Sequence, residues 1–571
     1  MSKRSLRRAG LAGGALLALC AGEHAEAKTA AKHAPAAPAA SAADLDVLKG
    51  EIAELTARLN EQASANAQQA AHLNDVEAQL AAAKADSARA VATAQADQQQ
   101  IRLIPDQVQT AVAAVKPKTD KIYYKGISVT LGGFAELATI YRSHDETADI
   151  SSSFSKLPFR NDRAGRTGEF RLSARQSRYS ALVQGDVTSA IHAAFYGEFD
   201  FQGGAQTANS NQSDSYNPRI RNLYGQVDWD DMGWHLLAGQ NWSLLTMNTK
   251  GITPRNELTP PQIDAQYVPG FAWARQPQVR LTKDFGKELW VAISAENPQT
   301  TFGTLTTASG VTITNTQAPT NGYFNGTNYS LNKYPDVIGK VALEEKIDGH
   351  SLHLEGFGIV RSFYDRVTIA PTPANQAGLL GYTAGSGNAT TFGGGVGGGV
   401  VFEAIPKMLD LQGSFMVGKG IGRYGSAGLP DVTARPDGHL QPLTEAMWLV
   451  GGTLHATPKL DLYVFGGQEA EHGKVYGSPV LPASVAFGYG VLPGTNNSGC
   501  AVEGGTCSPL TKSIGQITGG FWDKVYQGPF GRVQFGIQYS YTQRNTFADA
   551  AGFAPKAAEN MIFSSIRYYP F

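Results

Sequence analysis

Five basic residues recur at one parity within segments that alternate apolar and polar side chains: Arg171, Arg175, Arg280, Lys340 and Arg361. Guanidinium and ammonium groups aligned on one wall of a water-filled enclosure attract carboxylates, pair with them and raise the local anion concentration. Arg178 lies close by but falls out of parity, unless a bulge around Gln176 re-aims it. The competing assignment for these cations is structural. Paired with Glu169, Glu198, Glu296 or Glu355, they would stiffen the wall instead of facing solute.

A second charged group sits in the long connection TMNTKGITPRNELTPPQIDAQYVPGFAWARQ. Arg255, Glu257, Asp264 and Arg275 are its candidate lining charges, and Pro254, Pro260, Pro261 and Pro269 stiffen it. Such a loop suits an ordered constriction; the alternative is an outward loop shaping a subunit contact. Cys500 and Cys507 form an even pair in an exported chain, which predicts one disulfide closing a small loop. No second ligand pair accompanies them, so no metal site is expected.

Enzyme chemistry finds little support. The sequence contains no HExxH, no GxSxG elbow and no Walker pattern, and no cofactor is implied. The glycines of FGGGVGGGV lie mid-strand without a following helix, unlike a phosphate loop. His235, His353 and His455 read as isolated wall residues.

The elements that must position these groups are strands. In VQFGIQYSYTQR, Val533, Phe535, Ile537, Tyr539 and Tyr541 share one face, and Gln534, Gln538, Ser540, Thr542 and Arg544 the other. IHAAFYGEFDF places Ile191, Ala193, Phe195, Phe199 and Phe201 opposite His192, Tyr196, Glu198 and Asp200. MLDLQGSFMVG behaves likewise, whereas KLDLYVFGG and VIGKVALEE alternate less cleanly. Tight connections such as WDDMG, FGKE and IDGH alternate with long Gly-, Asn-, Ser- and Pro-rich ones. Segregation of short turns to one rim and long loops to the other marks a transmembrane barrel.

The pattern predicts sixteen strands, near 127–142, 169–182, 190–202, 218–229, 234–245, 276–285, 288–297, 336–347, 350–364, 393–405, 408–420, 444–456, 459–471, 512–526, 532–545 and 559–569. The fold class is therefore all-β: a 16-stranded antiparallel transmembrane barrel at 127–571, wide enough to hold an aqueous channel. Composition agrees, with 64 Gly, 22 Tyr, 25 Phe and only 17% charged residues. A net charge of −1 gives no reason to expect a nucleic-acid partner.

The N-terminal part reads differently. Residues 1–27 carry Lys3, Arg4, Arg7 and Arg8, a short apolar core and Ala25-Glu26-Ala27, which predicts an export signal. Residues 28–43 form an Ala/Pro-rich linker. From 44 to 104 a heptad runs without a slip through Leu45, Leu48, Ile52, Leu55, Leu59, Gln62, Asn66, Gln69, Leu73, Val76, Leu80, Ala83, Ser87, Ala90 and Ala94. This predicts an α-helical coiled coil, hence an oligomer. Residues 105–126 link it to the barrel, beginning where Pro105 interrupts the helix.

RLSARQSRYS (171–180), RIRNLYGQVDW (219–229) and LLAGQNWSLL (236–245) carry a likeness to a known family. Together with the coil and the strand count, they make the chain resemble the DcaP-like trimeric outer-membrane porins. The resemblance implies a homotrimer and passive diffusion of small, dicarboxylate-like anions. The coil would then lie in the periplasm of a Gram-negative envelope, within reach of peptidoglycan. The alternative is a structural protein whose coil links the barrel to the cell wall. The chain ends in SSIRYYPF. Its aromatics fit a girdle facing outer-membrane lipids, and Phe571 resembles the terminal signal read by the barrel-insertion machinery, although Pro570 breaks the strict alternation of that signal.

Overall fold

The computed structural model describes residues 78–93 and 121–571 apart from 147, 204–215, 265–266, 318–328 and 372–374, together with isolated helical positions at 50, 54 and 75. The chain divides into two compact units, Met1–Lys116 and Pro117–Phe571. In the first, 78–93 is helical and exposed throughout, including Leu80, Ala83, Ser87 and Ala90 of the heptad series. The expected signal, the linkers at 28–43 and 105–120 and most of the expected coil lie outside the described residues. No described helix is long and apolar enough to cross a membrane.

The second unit is built from the two-residue alternation of its segments. Among the described residues, sixteen strands pair antiparallel with their sequence neighbours around the barrel, and the short strands Ile122–Tyr124 and Val311–Thr314 extend the same sheet beside the first and the ninth. The sixteen are β1 Ile127–Arg142, β2 Glu169–Ser173 continued by Arg178–Asp186, β3 Ile191–Asp200, β4 Arg219–Trp229, β5 Trp234–Trp242, β6 Arg275–Phe285, β7 Leu289–Glu296 and β8 Asp336–Ile347. The series continues with β9 His350–Ile369, β10 Gly385–Ile405, β11 Leu409–Lys419, β12 Thr444–His455, β13 Leu460–His472, β14 Thr511–Gly528, β15 Gly531–Thr546 and β16 Lys556–Tyr569. Pairing of β1 with β16, from Ala135 opposite Tyr568 to Arg142 opposite Met561, closes the barrel.

The two faces separate as the parity predicts. Phe195, Ile293, Val360, Phe415, Val450 and Ile537 are exposed on the outside, while Gln534, Gln538, Ser540 and Thr542 are buried within. A closed barrel with an apolar outer band is the arrangement that satisfies every backbone group in a membrane. The short rim has two- to four-residue turns. At one of them both Asp348 and Gly349 have positive φ, 50° and 87°, as a two-residue hairpin matched to strand twist requires. The long connections lie at the opposite rim.

β2 is one strand interrupted by an extra residue. Ser173 faces Ala138 and Arg178 faces Phe134, so five steps on β2 oppose four on β1. This bulge reverses parity between its two halves and turns Arg178 inward. The Gly-rich run, whose alternation is unreadable in sequence, belongs to β10, which starts at Gly385 rather than near 393.

A candidate pore constriction

The connection between β5 and β6, residues 243–274, folds into the barrel. Leu244, Leu245, Ile252 and Ala274 pack with inward Trp290, Ala292, Ile338, Ala342, Phe357, Ile359, Met416 and Met447. These inward apolar residues account for the blurred alternation of VIGKVALEE, because they face protein rather than water. The inward glycines of β10 make the space. A Cβ on Gly399 would lie 2.0 Å from Met247 Sδ of the loop.

Wall carboxylates then accept from the loop's backbone. Leu244 N donates to Glu296 Oε1 (2.8 Å), Asn248 N to Glu355 Oε1 (2.9 Å), Gly251 N to Glu344 Oε1 and Gly270 N to Glu469 Oε1 (2.7 Å). On the far wall, Ile263 N donates to Gln538 Oε1 (2.6 Å), and Trp522 Nε1 to Pro261 O (2.7 Å). The loop therefore braces β7–β9 and β13–β15.

Three expected pore-lining cations are used up within the wall, Arg280 and Lys340 beneath this loop and Arg361 beneath the connection between β11 and β12. Arg280 donates to Trp242 O (2.6 Å) and Gln278 Oε1 (3.1 Å) and is 3% exposed. Lys340, 1% exposed, donates to Glu355 Oε2 (2.7 Å), Thr246 O (2.7 Å) and Asn248 Oδ1 (3.3 Å). Arg361 pairs with Asp336 (3.0 Å) and with Asp431 (2.6 Å) of the connection between β11 and β12. Their parity was inward as expected, but each is covered by a folded-in loop, so none of the three faces open solvent.

The remaining positions differ among themselves. Arg171 is exposed and pairs with Glu169 at 3.1 Å. Arg175 lies in the β2 bulge, donates to Phe201 O (3.1 Å) and Gly203 O (2.8 Å) of the connection after β3, and stands 3.6 Å from Asp149 of the connection after β1. Arg178 stands 3.9 Å from Glu198 and over the Phe134 ring. Arg255 donates to Tyr224 Oη at 2.7 Å. Glu257 accepts from Asn241 Nδ2 (3.3 Å), and burial raises its carboxyl above the ordinary range. Asp264 is fully buried and accepts from Ser152 Oγ at 2.8 Å. Burial pushes its carboxyl up to about 7, against the opposing pull of Arg142 and Ser152. Arg275 stacks 4.7 Å from Trp242. Cys500 and Cys507 are disulfide-bonded, with Cα atoms 4.6 Å apart.

Where the loop edge at 259–262 meets β1, β2 and β13–β16, a cavity of about 510 Å³ remains. Its wall holds Arg178, Lys524, Arg532 and Arg567 against Glu198 and Asp461. Arg567 pairs with Glu136 at 3.0 Å and Lys524 with Asp461 at 2.9 Å. Arg532 stacks on Tyr569 at 4.2 Å, and its Nε has no hydrogen-bond partner among the described residues.

No protein-family model matches the chain, and no curated protein does. Among solved structures it is similar to the outer membrane channel DcaP of Acinetobacter baumannii, at TM-score 0.52 and 17% identity over 78% of this chain and 99% of that one. The fold is that of a porin. An anion-selective porin from Comamonas acidovorans aligns over 78% of this chain and 99% of its own, at TM-score 0.42 and 11% identity. OmpF of Salmonella typhi aligns over 79% of this chain and 99% of its own, at TM-score 0.40 and 9% identity.

In this porin barrel, sequence reasoning missed Lys524 and Arg532. Arg532 shares the polar parity of Gln534, which was the available signal. Arg567 has the parity opposite to lipid-facing Ile566 and Tyr568, and it too reaches the cavity. The histidines are also corrected. His235, His353 and His455 are not isolated: His235 and His455 each contact two carboxylates from flanking strands, and His353 contacts Glu344 of β8 and Glu355 of its own strand.

Proposed function

We propose that this chain is an outer-membrane porin: a homotrimeric, water-filled pore for passive diffusion of small hydrophilic solutes, with a preference for dicarboxylate-like anions. The observation that carries the reading is the folded-in loop, which covers one arc of the wall and leaves Arg178, Arg532 and Arg567 on the cavity beside it. Rings of Arg or Lys are the usual device of anion-preferring pores. In this orientation the short-turn rim faces the periplasm and the chain enters from that side. Leu80, 52% exposed on its helix, is an apolar heptad position awaiting a partner helix, which favours a periplasmic coiled coil that holds three copies together.

Planar-bilayer recording tests the proposal. Conductance in three equal steps and an anion-selective reversal potential are expected; a cation-selective potential would refute the anion preference. In the second reading, the coil links the barrel to peptidoglycan, and deleting residues 44–104 separates the two roles. Retained channels with weakened envelope anchoring would favour the link, and loss of trimers the assembly role. Phe571, 64% exposed beyond the end of β16, serves in this scheme as a contact for the insertion machinery. Its removal should lower insertion.

A further inference from the structure

Four inward-facing histidines near the short-turn rim share one arrangement. His192 contacts Asp186 (2.6 Å) and Asp230 (3.3 Å), and His235 contacts Asp228 (2.6 Å) and Asp284 (3.1 Å). His353 contacts Glu344 (2.6 Å) and Glu355 (3.1 Å), and His455 contacts Asp461 (2.7 Å) and Asp410 (3.2 Å). In every case Nδ1 meets one carboxylate and Nε2 the other. The three groups therefore do not converge on one point, and no metal-holding cluster forms among the described residues. A neutral imidazole has one N–H and can satisfy one of its two carboxylates; only the imidazolium donates to both.

These histidines lie on β3, β5, β9 and β12, whereas Arg178, Lys524, Arg532 and Arg567 lie on β2, β14, β15 and β16. The barrel thus has a basic arc and, around the rest of the rim, an acidic arc. We infer that the acidic arc is a proton-adjustable selectivity element, in which the four histidines set how strongly the periplasmic mouth repels anions. This rests on the pore reading above. Other charges face the same groups: Asp228 also lies near His192, Arg255 near Asp228, Lys340 on Glu355 and Lys524 on Asp461. Trp290 stacks on His235 at 5.6 Å, and Glu403 accepts from Lys407 N at the neighbouring turn.

Four protons would cancel half of the eight carboxylate charges. Four unit charges about 10 Å from the axis in 0.1 M salt change each ion's local concentration roughly threefold. Histidine is the side chain whose charge changes in the physiological range. Reversal potentials of the full chain, measured in 0.1 M KCl from pH 9 to pH 5, should show the anion-to-cation permeability ratio rising several-fold as pH falls. The H192N/H235N/H353N/H455N variant should stay near its pH 9 ratio. A variant curve that follows the wild type would overturn the inference. Should the fourfold variant fail to insert, H192N and H455N, at the two most exposed sites, should each remove about a quarter of the step, and two unchanged curves would refute it.

D264N removes the loop carboxylate that titrates near pH 7 and should keep the step. Loss of the step there would assign it to the loop and overturn the inference. A histidine-dependent step in a pore without anion preference would uphold the inference while refuting the anion reading. Absence of conductance would overturn both.

Discussion

Arg532 offers the sharpest test of which face of the barrel conducts. A sphere of about 510 Å³ has a radius of about 5 Å, which sets the distance from the cavity centre to its lining charges. At that distance in water one unit charge shifts a monovalent ion by about 0.8 kcal/mol. Screening at 0.1 M salt reduces this to about 0.5 kcal/mol, or roughly twofold in local concentration. Arg567 and Arg178 have carboxylate neighbours at 3.0 and 3.9 Å that offset their fields, whereas Arg532 has no ion pair of this kind among the described residues. R532Q should therefore lower anion entry and raise cation entry by about 2.3-fold each, lowering the permeability ratio about fivefold at 0.1 M KCl. At 1 M KCl, with a Debye length of about 3 Å, the change should fall below twofold. Reversal potentials under both salts provide the assay. An unchanged ratio at 0.1 M would place the cavity off the conducting path.

Other perturbations probe the loop. K340M leaves Glu355 buried without its cation and should cost about 3–5 kcal/mol, read as a lower unfolding midpoint in detergent; K340M/E355Q should recover part of it. G399V would drive a side chain into Met247 and lift the loop from β10, giving larger and noisier single-channel conductance. Asp264 adds a pH dependence. Its folded value near 7 lies above the unfolded value near 4, so the loop's contribution is complete below pH 4 and is lost as pH rises through 7. Thermal stability should fall between pH 5 and pH 8 in the wild type and less steeply in D264N.

Strand parity was legible because a sheet alternates with period two, and a single face of VQFGIQYSYTQR suffices to orient it. Even the bulge at Gln176 could be inferred, since Arg178 has the wrong parity without it. Burial was not legible. Arg280, Lys340 and Arg361 point inward as Arg532 does, and only the path of a distant loop decides which are covered. The histidine contacts were hidden for another reason. His455 meets Asp410 across 45 residues and His235 meets Asp284 across 49, and such pairs depend on the register of separate hairpins. Glycines carry no parity signal, so the inward half of FGGGVGGGV could not announce that it cradles a loop.

The backbone amides that cap Glu296, Glu344, Glu355 and Glu469 have a consequence for how such a pore can change over time. Glu296 and Glu469 are held by peptide groups and neutral side chains, and Glu344 and Glu355 by peptide groups beside His353 and Lys340, so their influence on the lumen depends on where the main chain runs. A one-residue insertion or a proline between 244 and 270 would unmask negative charge inside the barrel without altering a single ionisable side chain. The ionic character of the pore can therefore drift through loop length alone, a route that a comparison of charged residues between related chains would not detect.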